Sequence, residues 1–117
     1  MKLFNINKKI IYFGSNAKEN TDLVKRFKES NPEGLWFHLC DVPSSHGFYL
    51  SNDLTNDELR IIGNILLKLS KQEGKHNMDI CKINDVSPTK TNGLVLIKNN
   101  KSVRIKVINC FKLDDYK

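Results

Sequence analysis

The residues able to do chemistry crowd into one stretch, Gly34 to Leu50 (GLWFHLCDVPSSHGFYL), which carries an indole, two imidazoles, a carboxylate and a pair of neighbouring serines. Trp36 can offer a ring face for a base to stack on, or it can be core. His38 and His46 titrate near neutrality. Each can supply a hydrogen-bond donor to phosphate or ribose, or join Asp41 in a buried network that stiffens the corner. A catalytic reading would make His46 the general base, Asp41 its orienter and Ser45 the nucleophile, with His38 as a second imidazole. One short turn cannot easily place such side chains in triad geometry, and no oxyanion feature accompanies them, so no catalytic residue is assigned. A metal site built from His38, Asp41 and His46 lacks a fourth ligand and supporting partners. No metal and no cofactor is expected.

A second polar segment, GSNAKEN from Gly14 to Asn20, sits where a strand gives way to a helix, and such junctions present free amides to anions. Asn16, Lys18 and Asn20 read either as an anion-binding turn or as ordinary capping, with Asn20 as the N-cap. Lys82, Lys90, Lys98, Arg104 and Lys106 lie on strands or loops of the second half. On a curved sheet they could share one face and track a phosphate backbone.

The chain has 117 residues and a formal net charge of +6, enough length for one domain and enough charge to make polyanions the first partner class. The alternative is that scattered lysines only keep the domain soluble. Cys40, Cys81 and Cys110 are odd in number and widely spaced, which argues against a disulfide framework and against a zinc site. They read as reduced, mostly buried thiols in a cytosolic or nuclear protein, with the cytoplasm as the expected location. No signal peptide or transmembrane run is read, and no membrane partner is expected.

Periodicity places these residues on elements. Leu3 to Phe13 reads as a hairpin and Gly14 as its break. A helix is expected from about Thr21 to Lys28, with Leu23, Val24 and Phe27 as its buried stripe. In the central stretch Leu35, Phe37 and Leu39 share one strand face; Trp36, His38 and Cys40 share the other. Pro43 makes Asp41 to His46 a defined turn, and Phe48 and Leu50 lead a second strand. Thr55 to Glu58 is a capping box opening a helix that reaches about Glu73 and stops at Gly74. Further strands are expected at about Met78 to Ile83, Leu94 to Lys98 and Val103 to Ile108, the last two as a hairpin. The segment between Asn84 and Gly93 reads as a polar loop. The order is β-β-α-β-β-α-β-β-β: a single α+β domain over residues 1–117, core about 3–108, with a curved, mostly antiparallel sheet and two packed helices. Residues 109–117 are expected to fray.

Three motifs now stand in order: GSNAKEN after a strand, LWFHLCDVPSSH after the first helix, and a long helix leading to a lysine-bearing loop and GLVLIKNNKSVRI. Together they resemble the NFACT-R domain, the RNA-binding-type C-terminal domain of the ribosome quality control NFACT proteins, whose bacterial members carry a fibronectin-binding label. The resemblance covers about Ile10 to Val107. Asn16, Asn20, Asp41, Pro43, Ser45 and His46 match the family's G-[RK]-N-x-x-Q-N and [DE]-x-P-G-[SA]-H patterns, and Trp36 and His38 match through the LWFH segment. Ser15, Glu19 and Ser44 depart from them, and the missing cation at Ser15 weakens an expected phosphate contact. What the resemblance implies is a stand-alone module that binds nucleic acid, most often RNA such as tRNA or rRNA, with DNA left open. Docking on a ribosome or quality-control factor is the alternative, and an RNA-modifying role is a weaker third.

Overall fold

The computed structural model describes every residue from Met1 to Lys117. Strands β1 (Lys2–Ile6) and β2 (Lys9–Phe13) pair antiparallel across Asn7 and Lys8. Both turn residues adopt positive φ, 51° and 69°, the two-residue turn whose twist matches paired strands. Helix α1 (Ala17–Ser30) comes next, then β3 (Leu35–Leu39), β4 (Gly47–Tyr49) and helix α2 (Asn56–Leu69). The chain continues through β5 (Asn77–Lys82), β6 (Val86–Pro88), β7 (Val95–Ile97) and β8 (Lys101–Arg104). One six-stranded sheet has the order β1-β2-β4-β3-β5-β8, and β6 and β7 form a separate two-stranded sheet. Every strand pairing is antiparallel, so this is an α+β domain with the element order broadly as expected.

Both faces of the large sheet are covered. Phe37 and Leu39 point to one core, shared with Ile62, Ile65 and Leu66 of α2. Trp36 points the other way, into a second core with Leu23, Val24 and Phe27 of α1 and with Val86 of the small sheet. The alternation across β3 is therefore real, but its polar-aromatic face is covered by α1 and β6–β7.

Several boundaries move, each for a local reason. Helix α1 begins four residues before the expected Thr21, because Asn16, in extended backbone with φ −159°, accepts the Glu19 amide and caps it. Asn20 is thus not the cap but an interior, buried residue. Helix α2 keeps its Thr55–Glu58 capping box but ends at Leu69, not near Glu73. Lys71, at φ 54°, takes the left-handed position, and the Gln72 amide donates back to the Leu67 carbonyl at 2.9 Å. The expected hairpin of the last two strands does not form: β7 pairs with β6, a strand missed in the Asn84–Gly93 segment, and β8 pairs with β5. The strand expected to reach Ile108 stops at Arg104 because α2 captures the residues beyond it. The Asn64 carboxamide donates to the Lys106 carbonyl at 3.0 Å and accepts the Ile108 amide at 2.9 Å, drawing the chain off the sheet. The end is not frayed either: Phe111 is buried and stacks on Tyr116, ring centroids 5.4 Å apart. Cys81 is buried and Cys40 half-buried, but Cys110 is exposed, and all are free thiols.

Glu58 joins the hairpin to α2. It is 2% exposed, closes the capping box, and holds the Lys9 ammonium at 2.7 Å and the Asn7 carboxamide at 3.1 Å. The Lys9 bond first, then the Thr55 amide, pulls its carboxyl down to about 2. A depressed folded value means that this contribution is complete above the ordinary glutamate range and is lost as pH falls toward about 2. Urea unfolding followed from about pH 5 down to about pH 2 should therefore show a fall in stability that Glu58→Gln reduces. An unchanged acid profile in that variant would contradict the assignment.

Candidate functional site

At the corner between β3 and β4 the two nitrogens of His46 are both used. The Trp36 Nε1–H donates to His46 Nδ1 at 3.1 Å, and His46 Nε2 lies 3.2 Å from the Gly93 carbonyl oxygen. An indole N–H can only donate, so Nδ1 must accept and the proton must sit on Nε2, which donates to Gly93. His46 is 1% exposed, and burial, followed by the nearby His38 ring, pulls its pKa down to about 4. Charging it would put a second N–H against the indole N–H. The backbone is held as well: the Gly14 amide donates to the His46 carbonyl at 3.1 Å, and the His46 amide donates to Asn20 Oδ1 at 3.4 Å. Gly14 must lack a side chain, since a Cβ there would stand 1.8 Å from Asn20 Oδ1.

Gly93 locks the β6–β7 loop over this corner. Its φ is +81°, its carbonyl accepts from His46, and its amide donates to Thr21 Oγ1 of α1 at 2.7 Å. Four segments therefore meet at one residue, His46: β3, the turn before β4, α1 and the β6–β7 loop.

His38 is the imidazole left open. Its ring stacks on Trp36 at 5.5 Å with planes 11° apart, and meets His46 edge-on at 5.1 Å. Its Nδ1 is committed to the Leu39 carbonyl, so Nδ1 carries the proton and Nε2 is a lone-pair acceptor with no protein partner. Burial lowers its pKa, opposed by the Leu39 bond and by Asp79, so the ring is neutral at pH 7. Two clefts meet at His38. The first, of about 490 Å³, lies between the α1 start and the Pro43–Ser45 turn, and includes Asn16, Ala17, Asn20 and Asn92. No carboxylate lines it. The second, of about 520 Å³, runs along Leu94, Val95 and Ile97 and carries Asp41 and Asp79.

The residues expected to form a site divide accordingly. Asn16, Asn20, His38 and Ser45 line the first cleft, and Trp36, His38 and Asp41 line the second. Trp36 is 1% exposed, so it is not an open stacking platform but core and a donor to His46. Asp41, exposed at φ 61°, is not among the partners of His46, and both His46 nitrogens are occupied, so neither the triad nor a His38–Asp41–His46 metal set is assembled. Lys18 is exposed and paired with Asp22 at 2.9 Å. The Ser15 amide at the same junction is already taken by the Glu19 carboxylate at 2.8 Å. The single basic face does not form. Lys82 pairs with Glu33 at one end of β5, while Arg104 bonds Asn77 at the other end, and Lys106 lies beside α2. Lys90 is exposed in the β6–β7 loop that borders the first cleft. Gly93, Thr21 and Ala17 were missed: their part depends on a loop folding back over a helix far away in sequence.

No family model matches the chain, and comparison with curated proteins returns no match. Among solved structures the fold is similar to the C-terminal part of the fibronectin/fibrinogen-binding protein from Streptococcus suis, with a TM-score of 0.84 and 23% identity. That likeness covers 99% of this chain and 48% of the other, so this chain spans about half its length. At that identity the comparison shows the fold: the chain is built like the C-terminal domain of a protein carrying the fibronectin-binding label.

The His46 bonds carry a sign that can be checked. Its folded pKa of about 4 lies below the ordinary histidine value of 6.5, so the unfolded chain binds the extra proton first. Stability is full above the ordinary value and falls as pH drops through this window, by roughly 3 kcal/mol at its full extent. Trp36→Phe removes the indole donor and leaves Nδ1 buried without a partner. It should cost about 1–3 kcal/mol in chemical unfolding at pH 7. A variant as stable as the parent would show that the bond does not hold the corner.

Proposed function

We propose that this domain binds nucleic acid, RNA in the first place, through the cleft between the α1 start and the Pro43–Ser45 turn. The observation that carries this reading is the cleft's complement of unpartnered groups: His38 Nε2, the Asn20 amide nitrogen and the first amides of α1, in a lining without carboxylates. A polyanion is turned away from the adjoining cleft by Asp41 and Asp79, so the phosphate side is the α1 side. Lys90 stands in the bordering loop, and the net charge of +6 favours approach of a polyanion. A tRNA or rRNA segment in the cytoplasm fits this chemistry and agrees with the resemblance drawn from the LWFH and DVPSSH motifs.

A protein-docking role, on a ribosome, a quality-control factor or another partner, is the second reading. It is favoured by Leu94 and Leu96, 58% and 67% exposed on and beside the small sheet. It also accords with the name of the similar Streptococcus protein, which is described as binding fibronectin and fibrinogen.

The two readings differ in salt dependence. Binding of the domain to a labelled tRNA and to a matched DNA hairpin, followed across a salt series, should weaken steeply as salt rises. Lys90→Glu, at an exposed loop position, should weaken it further by about 3- to 10-fold and flatten the slope. No binding at low salt, or binding indifferent to both salt and Lys90→Glu, would overturn the reading in favour of protein docking.

A further inference from the structure

Two side chains in the first cleft, Asn20 and His38, each keep an unpartnered group, and the two groups have opposite hydrogen-bonding character. Asn20 lines the cleft and is 6% exposed, and its Oδ1 is committed to the His46 amide, which leaves Nδ2 as a donor with no protein partner. Beside it Ala17, in the cleft lining, and Lys18 next to it carry the first two amides of α1, which have no carbonyl one turn back to bond, while the Asn16 side chain takes only the Glu19 amide. These are donors for an anion. His38 is the reverse. Its Nδ1–H is spent on Leu39, its ring is fixed by stacking on Trp36, and Nε2 can only accept. An acceptor of this kind has nothing to offer a phosphate oxygen and needs a ligand that donates.

We propose that this cleft holds one ribonucleotide unit, its phosphate on Asn20 Nδ2 and the α1 amides and its ribose 2′-hydroxyl donating to His38 Nε2, so that His38 selects RNA over DNA. The inference rests on the nucleic-acid reading and goes beyond it by naming the residue that distinguishes the two polymers. A 2′-hydroxyl is the group present in RNA and absent from DNA, and it both donates and accepts. Phosphate binding at the α1 start is common to both polymers, so Asn20 sets affinity and His38 sets preference. The Leu94, Val95 and Ile97 shelf beyond His38 is the surface left for the base, where an apolar contact tolerates any sequence.

The test uses a single-stranded oligonucleotide of mixed sequence made three ways: as RNA, as DNA and as 2′-O-methyl RNA. The methylated form keeps the ribose but removes the hydroxyl donor. The parent domain should bind RNA about 3- to 10-fold tighter than either of the others, the worth of one hydrogen bond. His38→Phe keeps a ring to stack on Trp36 and removes the acceptor, so it should bring all three affinities together near the DNA value. Asn20→Asp keeps the oxygen facing the His46 amide and turns the donor into an anion, so it should weaken all three alike. Thermal unfolding reports whether each variant is folded. If Asn20→Asp does not fold, His38→Phe alone decides. Equal binding of RNA and 2′-O-methyl RNA, or a preference that survives His38→Phe, overturns the assignment of His38 while leaving nucleic-acid binding intact. Absence of binding to all three rejects the nucleic-acid reading and this inference with it.

Discussion

The chain of bonds from the Trp36 indole through His46 to the Gly93 carbonyl is the constraint on which the site depends. An indole cannot accept, so the tautomer of His46 is fixed by its neighbour and not by pH or solvent. The fixed tautomer leaves a donor to hold the β6–β7 loop, and the same residue's backbone bonds Gly14 and Asn20. One buried residue, through its ring and its backbone, thus ties together a strand, a turn, a helix and a loop. A buried polar network of this kind is costly when incomplete and rigid when complete. Here no side-chain nitrogen or oxygen fully sealed from solvent is left without a partner, and both ring nitrogens of His46 are bonded.

Rigidity at His46 explains why His38 is available. Both histidines contact Trp36, one from β3 and the other from the turn before β4, but their roles differ. His46 is scaffold. His38, half-buried and stacked, lines both clefts and keeps one nitrogen without a protein partner. The charges around it then sort a ligand by polarity. Free amides and a carboxamide donor lie on the α1 side, while Asp41 and Asp79 lie on the side of the apolar shelf. In the proposed reading a phosphate takes the first side and a neutral base the second.

Much of this was legible in the sequence wherever the signal is local. The alternation of LWFHL announced a strand with two different faces, and Thr55 with Glu58 announced the start of α2, because both patterns are set by residues a few positions apart. The corner itself stood out by composition. Roles within it did not, because they depend on partners distant in sequence: Gly93 for His46, and the packing of α1 against Trp36. Asn16 and Asn20 were both plausible caps by type, and only the extended backbone at Asn16 decides between them. The final strands were misjudged for the same reason. KNNKS has good turn chemistry, yet β5 offers β8 a free edge and Asn64 captures the chain beyond it. Each is a tertiary contact that overrides a sound local preference.

The most direct test is the protonation state of the His46 ring, read by long-range nitrogen–proton NMR correlation on the folded domain at neutral pH. The bonds around His46 predict a neutral ring with its proton on Nε2 and a bare Nδ1, together with a hydrogen-bonded Trp36 indole proton that exchanges slowly. A proton on Nδ1, or a ring already charged at about pH 6, would contradict this, since neither state can accept the indole bond around which the corner is built.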